Sequence, residues 1–247
     1  MSIWFFLWFI FAVLMIAVTG WSTYILIQQK QAWKKFAASK KIAFQENKFF
    51  APAEMSGTID EFTVSFFTGE QQNPEARKNR QLTVFEIVDP TPYVDGLACG
   101  NGQMKAFINL LDALTPHIVK DDNWQNSYTI SSRNKDVVDV FLTPQRLKIM
   151  SEMIGFPKSD VIIILDGEQG VFRFETSNPL TDADKIDEML QKLFSRIKKL
   201  RPSADELKKL QLAPQKEVVK PIKAETEKIE DEKLLAETSS DEVDKKE

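Results

Sequence analysis

The first 29 residues contain no Asp, Glu, Lys or Arg. Within them, "IWFFLWFIFAVLMIAVTGWSTYILI" (Ile3 to Ile27) is a nearly continuous apolar run of 25 residues. A helix crosses the hydrocarbon core of a bilayer with about 20 such residues. The run is therefore predicted to be a transmembrane anchor over residues 1–29, the surplus being taken up by tilt or by extension into the interface. Trp4, Trp8, Trp21 and Tyr24 lie near its two ends, where amphipathic rings favour the headgroup level. A cleaved signal peptide needs a basic start, a shorter apolar core and a small-x-small cleavage site, and this segment lacks all three.

Lysines follow at once: Lys30, Lys34, Lys35, Lys40 and Lys41. Basic residues flanking a span stay on the cytoplasmic side. The N-terminus is thus expected outside and the larger part of the chain in the cytoplasm. Residues 30–41 read as a basic juxtamembrane helix. Trp33, Phe36 and Ala37 fall at helical spacing among these lysines. Such a turn can lie on anionic lipid. The simpler reading has the lysines only setting topology while the helix runs straight into the next domain. The membrane-interface set is Trp4, Trp8, Trp21, Tyr24, Lys30, Trp33, Lys34 and Lys35.

Residues 42–200 read as one α+β domain with a mainly antiparallel sheet and three or four helices. "IAFQENKFF" (Ile42 to Phe50) is strand-like. "MSGTIDEFTVSFFTG" (Met55 to Gly69) predicts two short strands around Ile59–Phe62, with Val64, Phe66 and Phe67 packing. "QLTVFEIVD" alternates through Leu82, Val84, Phe85 and Ile87. "PTPYVDGLACGNG" (Pro90 to Gly102) is punctuated by Pro and Gly and reads as a loop. "QMKAFINLLDAL" (Gln103 to Leu114) predicts a helix with Met104, Phe107, Leu110, Leu111 and Leu114 on one face. "NSYTISS" (Asn126 to Ser132) is a predicted strand. Thr143 and Pro144 mark the start of a helix that turns Leu147, Met150 and Ile154 inward.

"DVIIILDGEQGVFRFETS" (Asp160 to Ser177) predicts a hairpin. Its "VIIIL" is apolar on both parities, as expected of a strand covered on both faces. "TDADKIDEMLQKLFSRIKKL" (Thr181 to Leu200) predicts an amphipathic helix. Thr181 and Asp184 make a capping-box-like start, and Pro202 follows the end. A further short helix is expected within Ser203–Leu212. Residues 201–247 read as a mostly disordered charged tail. From Pro214 onward there are seven lysines and eleven acids, enough to account for the whole-chain net charge of −4. The rest is near neutral, without the basic footprint of a nucleic-acid binder.

The chain has a single cysteine, Cys99, and a single histidine, His117. One cysteine permits no internal disulfide. As a thiolate–imidazole pair they would bracket opposite ends of a helix about 18 Å long, too far apart to act together. "GLACGNGQMK" lacks the G-x-x-x-x-G-K-[ST] phosphate-loop pattern, so Gly100 and Gly102 read as turn residues. "KDDNW" and "LDGEQG" do not make a twelve-residue calcium loop. No zinc site can be assembled from one Cys and one His. No catalytic, metal or cofactor residue is therefore assigned.

The order of one N-terminal span, then "WKKFAASKKIAF", then "MSGTIDEFTVSFF", resembles bacterial single-pass membrane proteins that carry a cytoplasmic α+β domain. The resemblance rests on Trp33, Phe44 and a Ser56–Gly57 turn and covers the first third of the chain. It implies an inner-membrane location and carries no function and no site residues. The function expected is a membrane-tethered interaction or scaffold domain without enzymatic activity. Its partners would be the bilayer and a protein, with no nucleic acid. The alternatives are a ligand-binding module or enzyme with its site near the 93–105 loop, and an accessory subunit of a larger membrane complex.

Overall fold

The computed structural model describes residues 3–46, 52–71, 80–111, 113–121 and 124–212. The expected disorder of the tail beyond residue 212 lies outside the described residues.

The chain opens with one uninterrupted helix, α1 (Ile3–Lys40). At about 1.5 Å per residue it is roughly 57 Å long. It is long and apolar enough to cross a membrane. Its first part presents large apolar side chains outward: Trp4, Trp8, Trp21 and Tyr24 are all more than half exposed. Its last turns do the opposite. Gln29, Ala32, Trp33, Phe36 and Ala37 are buried, at the i, i+3, i+4, i+7, i+8 spacing of a helix face that packs on something. Here that is a sheet: the Trp33 and Phe36 rings lie 5.8 and 6.2 Å from Phe66. Lys41, in the left-handed region at φ 57°, ends the helix.

Among the described residues nine strands follow, paired antiparallel. They are β1 (Ala43–Gln45), β2 (Glu54–Ile59), β3 (Phe62–Gln71), β4 (Arg80–Asp89), β5 (Leu97–Gly100), β6 (Thr115–Pro116), β7 (Thr129–Ser132), β8 (Ser159–Leu165) and β9 (Gly170–Thr176). Their order in one sheet is β1-β2-β3-β4-β9-β8-β5-β7-β6. The two hairpins read from the sequence, β2–β3 and β8–β9, form as expected. The long chain between β4 and β8 then lays down β5, β6 and β7 beyond β8. This leaves "VIIIL" inside the sheet, with Val161, Ile162, Ile163 and Leu165 buried.

The inner face carries an aromatic row set by strand register. Phe66 of β3 opposes Phe85 of β4, and Phe85 opposes Phe174 of β9. Their rings stack at 5.5 and 4.7 Å between centroids. The helices α3 (Lys135–Phe141), α4 (Pro144–Ile154) and α5 (Ala183–Leu200) contribute to the same core. Thr143 caps α4 as expected, and its hydroxyl accepts from the Arg146 N–H. The α5 cap is one residue later than read: Asp182, not Thr181, accepts from the Asp184 and Lys185 N–H groups. α6 (Ala204–Leu212) completes the described chain.

Three expectations are corrected. "LACG" is not loop but a strand, β5, buried on all four residues between β8 and β7. The Gln103–Leu114 helix shrinks to a 3₁₀ turn (Gly102–Met104) and α2 (Lys105–Asn109). Met104 and Ile108 pack over Ala98 and Ile162, whereas Phe107 and Leu110 are exposed. Ser56–Gly57 is no turn but the middle of β2, paired with Ser65 and Val64. A Cβ on Gly57 would sit 2.7 Å from the Ile42 side chain.

Gly100 is likewise needed for closeness of backbones rather than for a turn. A Cβ there would lie 2.6 Å from the Val161 carbonyl oxygen, which cannot move without breaking the β5–β8 pairing. Gly100→Ala is expected to cost about 1–3 kcal/mol as an overpacking change. A thermal melt of the full chain in detergent, compared with wild type, measures this.

Candidate functional site

Cys99 lies within the sheet and His117 beside β7. Cys99 is completely buried in β5, and burial pushes its thiol pKa up, away from the reactive thiolate. His117 follows β6 and its backbone N–H donates to Ile130 O at 3.0 Å. Ile130 is also the cross-strand partner of Cys99, so it stands between them. The imidazole Nε2 lies 3.2 Å from Asp139 instead. The two are kept apart by an intervening strand, not by the long helix the sequence suggested.

Acidic residues are engaged in holding the fold together. Asp89, fully buried at the end of β4, accepts from Arg201 Nε (2.8 Å) and Nη2 (2.9 Å), Tyr93 Oη (2.6 Å) and Thr91 Oγ1 (2.8 Å). Burial pushes its pKa up, but the bonds from Arg201, Tyr93 and Thr91 outweigh burial and hold it below the usual carboxylate value. Arg201 also pairs with Glu61 in the β2–β3 turn at 3.0 Å. Glu206 accepts from Arg146 (2.9 Å) and from the Ser203 N–H (2.8 Å), and these bonds lower its pKa to about 2. Among the described residues no three His, Cys, Asp or Glu side chains are grouped as metal ligands.

The membrane-interface residues divide into two sets. Trp4, Trp8, Trp21 and Tyr24 are exposed on the apolar part of α1, free to meet lipid. Trp33 is not: its ring is fully buried against the sheet and cannot lie at the headgroup level. Lys34 and Lys35 are exposed but lie 3.5 and 3.4 Å from Glu46 and Asp184 of the domain. Lys40 pairs with Asp187 at 2.7 Å. The 30–41 segment is therefore a continuation of α1 docked on the domain, as the simpler reading had it.

The candidate site lies at this junction. A cavity of about 230 Å³ opens between α1 and the ends of β3, β4 and the segment after β9. Ser22, Gln29, Thr68, Gln81, Thr83 and Ser177 supply its polar lining. Gln29 Nε2 donates to Thr83 Oγ1 at 3.2 Å, both side chains being more than nine-tenths buried. Thr68 Oγ1 is buried with no partner among the described residues. Sequence reasoning passed over Gln29 and Thr83; the available signal was an amide falling on the buried stripe that continues through Trp33. No protein-family model, no curated protein and no solved structure matches this chain.

Proposed function

We propose that this chain is a membrane-tethered domain, without enzymatic activity of its own, that recruits or organises a protein partner on the cytoplasmic side of a bacterial inner membrane. The observation that supports it is the mount. A flexible linker leaves a domain free to reorient about its anchor. Here the helix that enters the apolar phase is the same helix that ends in the domain core, through Trp33 and Phe36. No linker separates the anchor from the domain. Fixed orientation is useful when a large partner must meet the domain and the membrane together.

The outer face of β3, β4 and β9 supports a partner surface. It carries Phe67 beneath the Arg173 guanidinium at 5.6 Å. Glu86 and Glu175 flank that guanidinium at 3.9 and 2.8 Å. The alternative, a ligand site beside residues 93–105, would have to be built around β5, which occupies the middle of that segment, and beside the buried Tyr93 and Val94.

Affinity capture of the full chain from its native membranes should recover a specific protein, and Arg173→Ala should reduce that recovery. Recovery of nothing above background counts against the proposal. Orientation has its own test. Cys99 should react with a maleimide only after denaturation, so a second thiol is needed. Glu168→Cys places one in the exposed β8–β9 turn. It should label with a membrane-impermeant maleimide only in permeabilised cells, and labelling in intact cells would reverse the topology.

A further inference from the structure

We propose that the junction cavity binds the hydroxyl-bearing end of a phospholipid headgroup. The inference rests on the membrane reading of α1 and extends it to a specific lipid contact. Position is the first argument. Counting about 20 residues from Ile3 brings the helix to the edge of the hydrocarbon core at Ser22. Ser22 and Gln29 then line the cavity over the next two turns, beside the exposed rings of Trp21 and Tyr24. The cavity thus opens at the level of the headgroups.

Chemistry is the second argument. Among the described residues no Lys, Arg, Asp or Glu lines the cavity. It offers neutral donors and acceptors instead. Beyond its bond to Thr83, Gln29 has a second N–H and its carbonyl, and Thr83 its hydroxyl proton, with no further side-chain partner among the described residues. Thr68 Oγ1 has no partner among the described residues. Buried polar atoms are almost always satisfied, so this spare capacity suits a ligand that both donates and accepts. A glycerol or sugar hydroxyl does both. Size is the third argument. At about 230 Å³ the cavity is smaller than pockets for drug-sized molecules, which start near about 300 Å³, and suits a few heavy atoms of a headgroup.

The test uses the full chain, stripped of lipid in detergent and weighed by native mass spectrometry with one lipid added at a time. Phosphatidylglycerol is compared with phosphatidic acid, which is at least as anionic but lacks the terminal diol, and with phosphatidylcholine, which has no headgroup donor. Phosphatidylglycerol should be retained about tenfold better than either. Thr83→Val and Gln29→Leu should each reduce that preference by about three- to tenfold, the value of a hydrogen bond or two. If either variant fails to fold, Ser22→Leu, on an exposed turn, reports on the same cavity. Equal retention of the three lipids overturns the inference, as does unchanged preference in the folded variants. Free glycerol stabilising the protein without selective lipid retention overturns the lipid assignment in favour of a soluble polyol. Alkaline carbonate extraction separates the two readings. A chain released from membranes by carbonate defeats the anchor itself, whereas a chain that stays but shows no lipid preference defeats only this inference.

Discussion

Replacing Trp33 with alanine is expected to destabilise the domain by about 3–5 kcal/mol, the usual cost of removing a large buried aromatic. The ring is fully buried and meets Phe66 edge-on at 5.8 Å. Phe66 in turn stacks on Phe85 and Phe85 on Phe174, so the lost volume opens at the end of an aromatic row. Chemical denaturation of the full chain in detergent, followed by far-ultraviolet circular dichroism and tryptophan fluorescence, measures the loss. The alternative role for Trp33, a ring at the headgroup level, predicts another pattern: weaker membrane retention with an unchanged domain. Trp33→Phe sharpens the contrast. It keeps most of the apolar contact and removes an indole N–H that is buried without a partner among the described residues. Its cost should fall well below that of alanine. Limited proteolysis near residues 30–42 should also quicken in Trp33→Ala, because the helix is held to the sheet there by Trp33 and Phe36.

The second large effect is at Arg201. Its guanidinium spans Asp89 and Glu61, joining the end of α5 to β4 and to the β2–β3 turn, and lies over the Phe62 ring at 5.2 Å. Arg201→Ala leaves the fully buried Asp89 carboxylate with only Tyr93 and Thr91 for company. Breaking a buried pair from one side costs about 3–5 kcal/mol. The pH dependence gives an independent sign. In wild type the Asp89 pKa lies below its unfolded value. Its contribution is fully present above the unfolded value of about 3.9 and is lost as pH falls through the lowered folded value. Without Arg201, burial dominates and the folded pKa rises above the unfolded one. The variant should then gain stability relative to wild type as pH falls from 7 toward 5. Melting curves of both proteins across that range decide it. A uniform deficit at every pH would mean that Arg201 acts through packing on Phe62 and not through the charge of Asp89.

Much of this architecture was readable from local pattern. The apolar run of α1, the β8–β9 hairpin, the α5 stripe and the Thr143–Pro144 start of α4 each announce themselves within a window of a few residues, where side-chain period and capping chemistry suffice. The errors share one cause. "LACG" is short, small and ends in glycine, so by itself it looks like loop. It becomes a strand because β8 and β7 offer it backbone partners from more than 25 residues away in the chain. The Gln103–Leu114 pattern has helical spacing, yet Phe107 and Leu110 find no apolar cover, only Met104 and Ile108 are buried, and α2 stops at Asn109.

Trp33 is the most instructive residue. Its neighbours in the chain are lysines next to a membrane-length apolar run, and from that company a place at the bilayer surface follows naturally. Nothing local distinguishes an aromatic stripe that meets lipid from one that meets a sheet. By itself the sequence determined that the chain begins with a helix able to cross a membrane, that an α+β domain follows, and where its strongest hairpin and helices lie, because these depend on the order of neighbouring side chains. Only the tertiary structure decided that the last turns of the helix are buried in the domain, that Cys99 is core, and that Gln29 and Thr83 meet across a cavity, because burial and pairing depend on residues far apart in the chain.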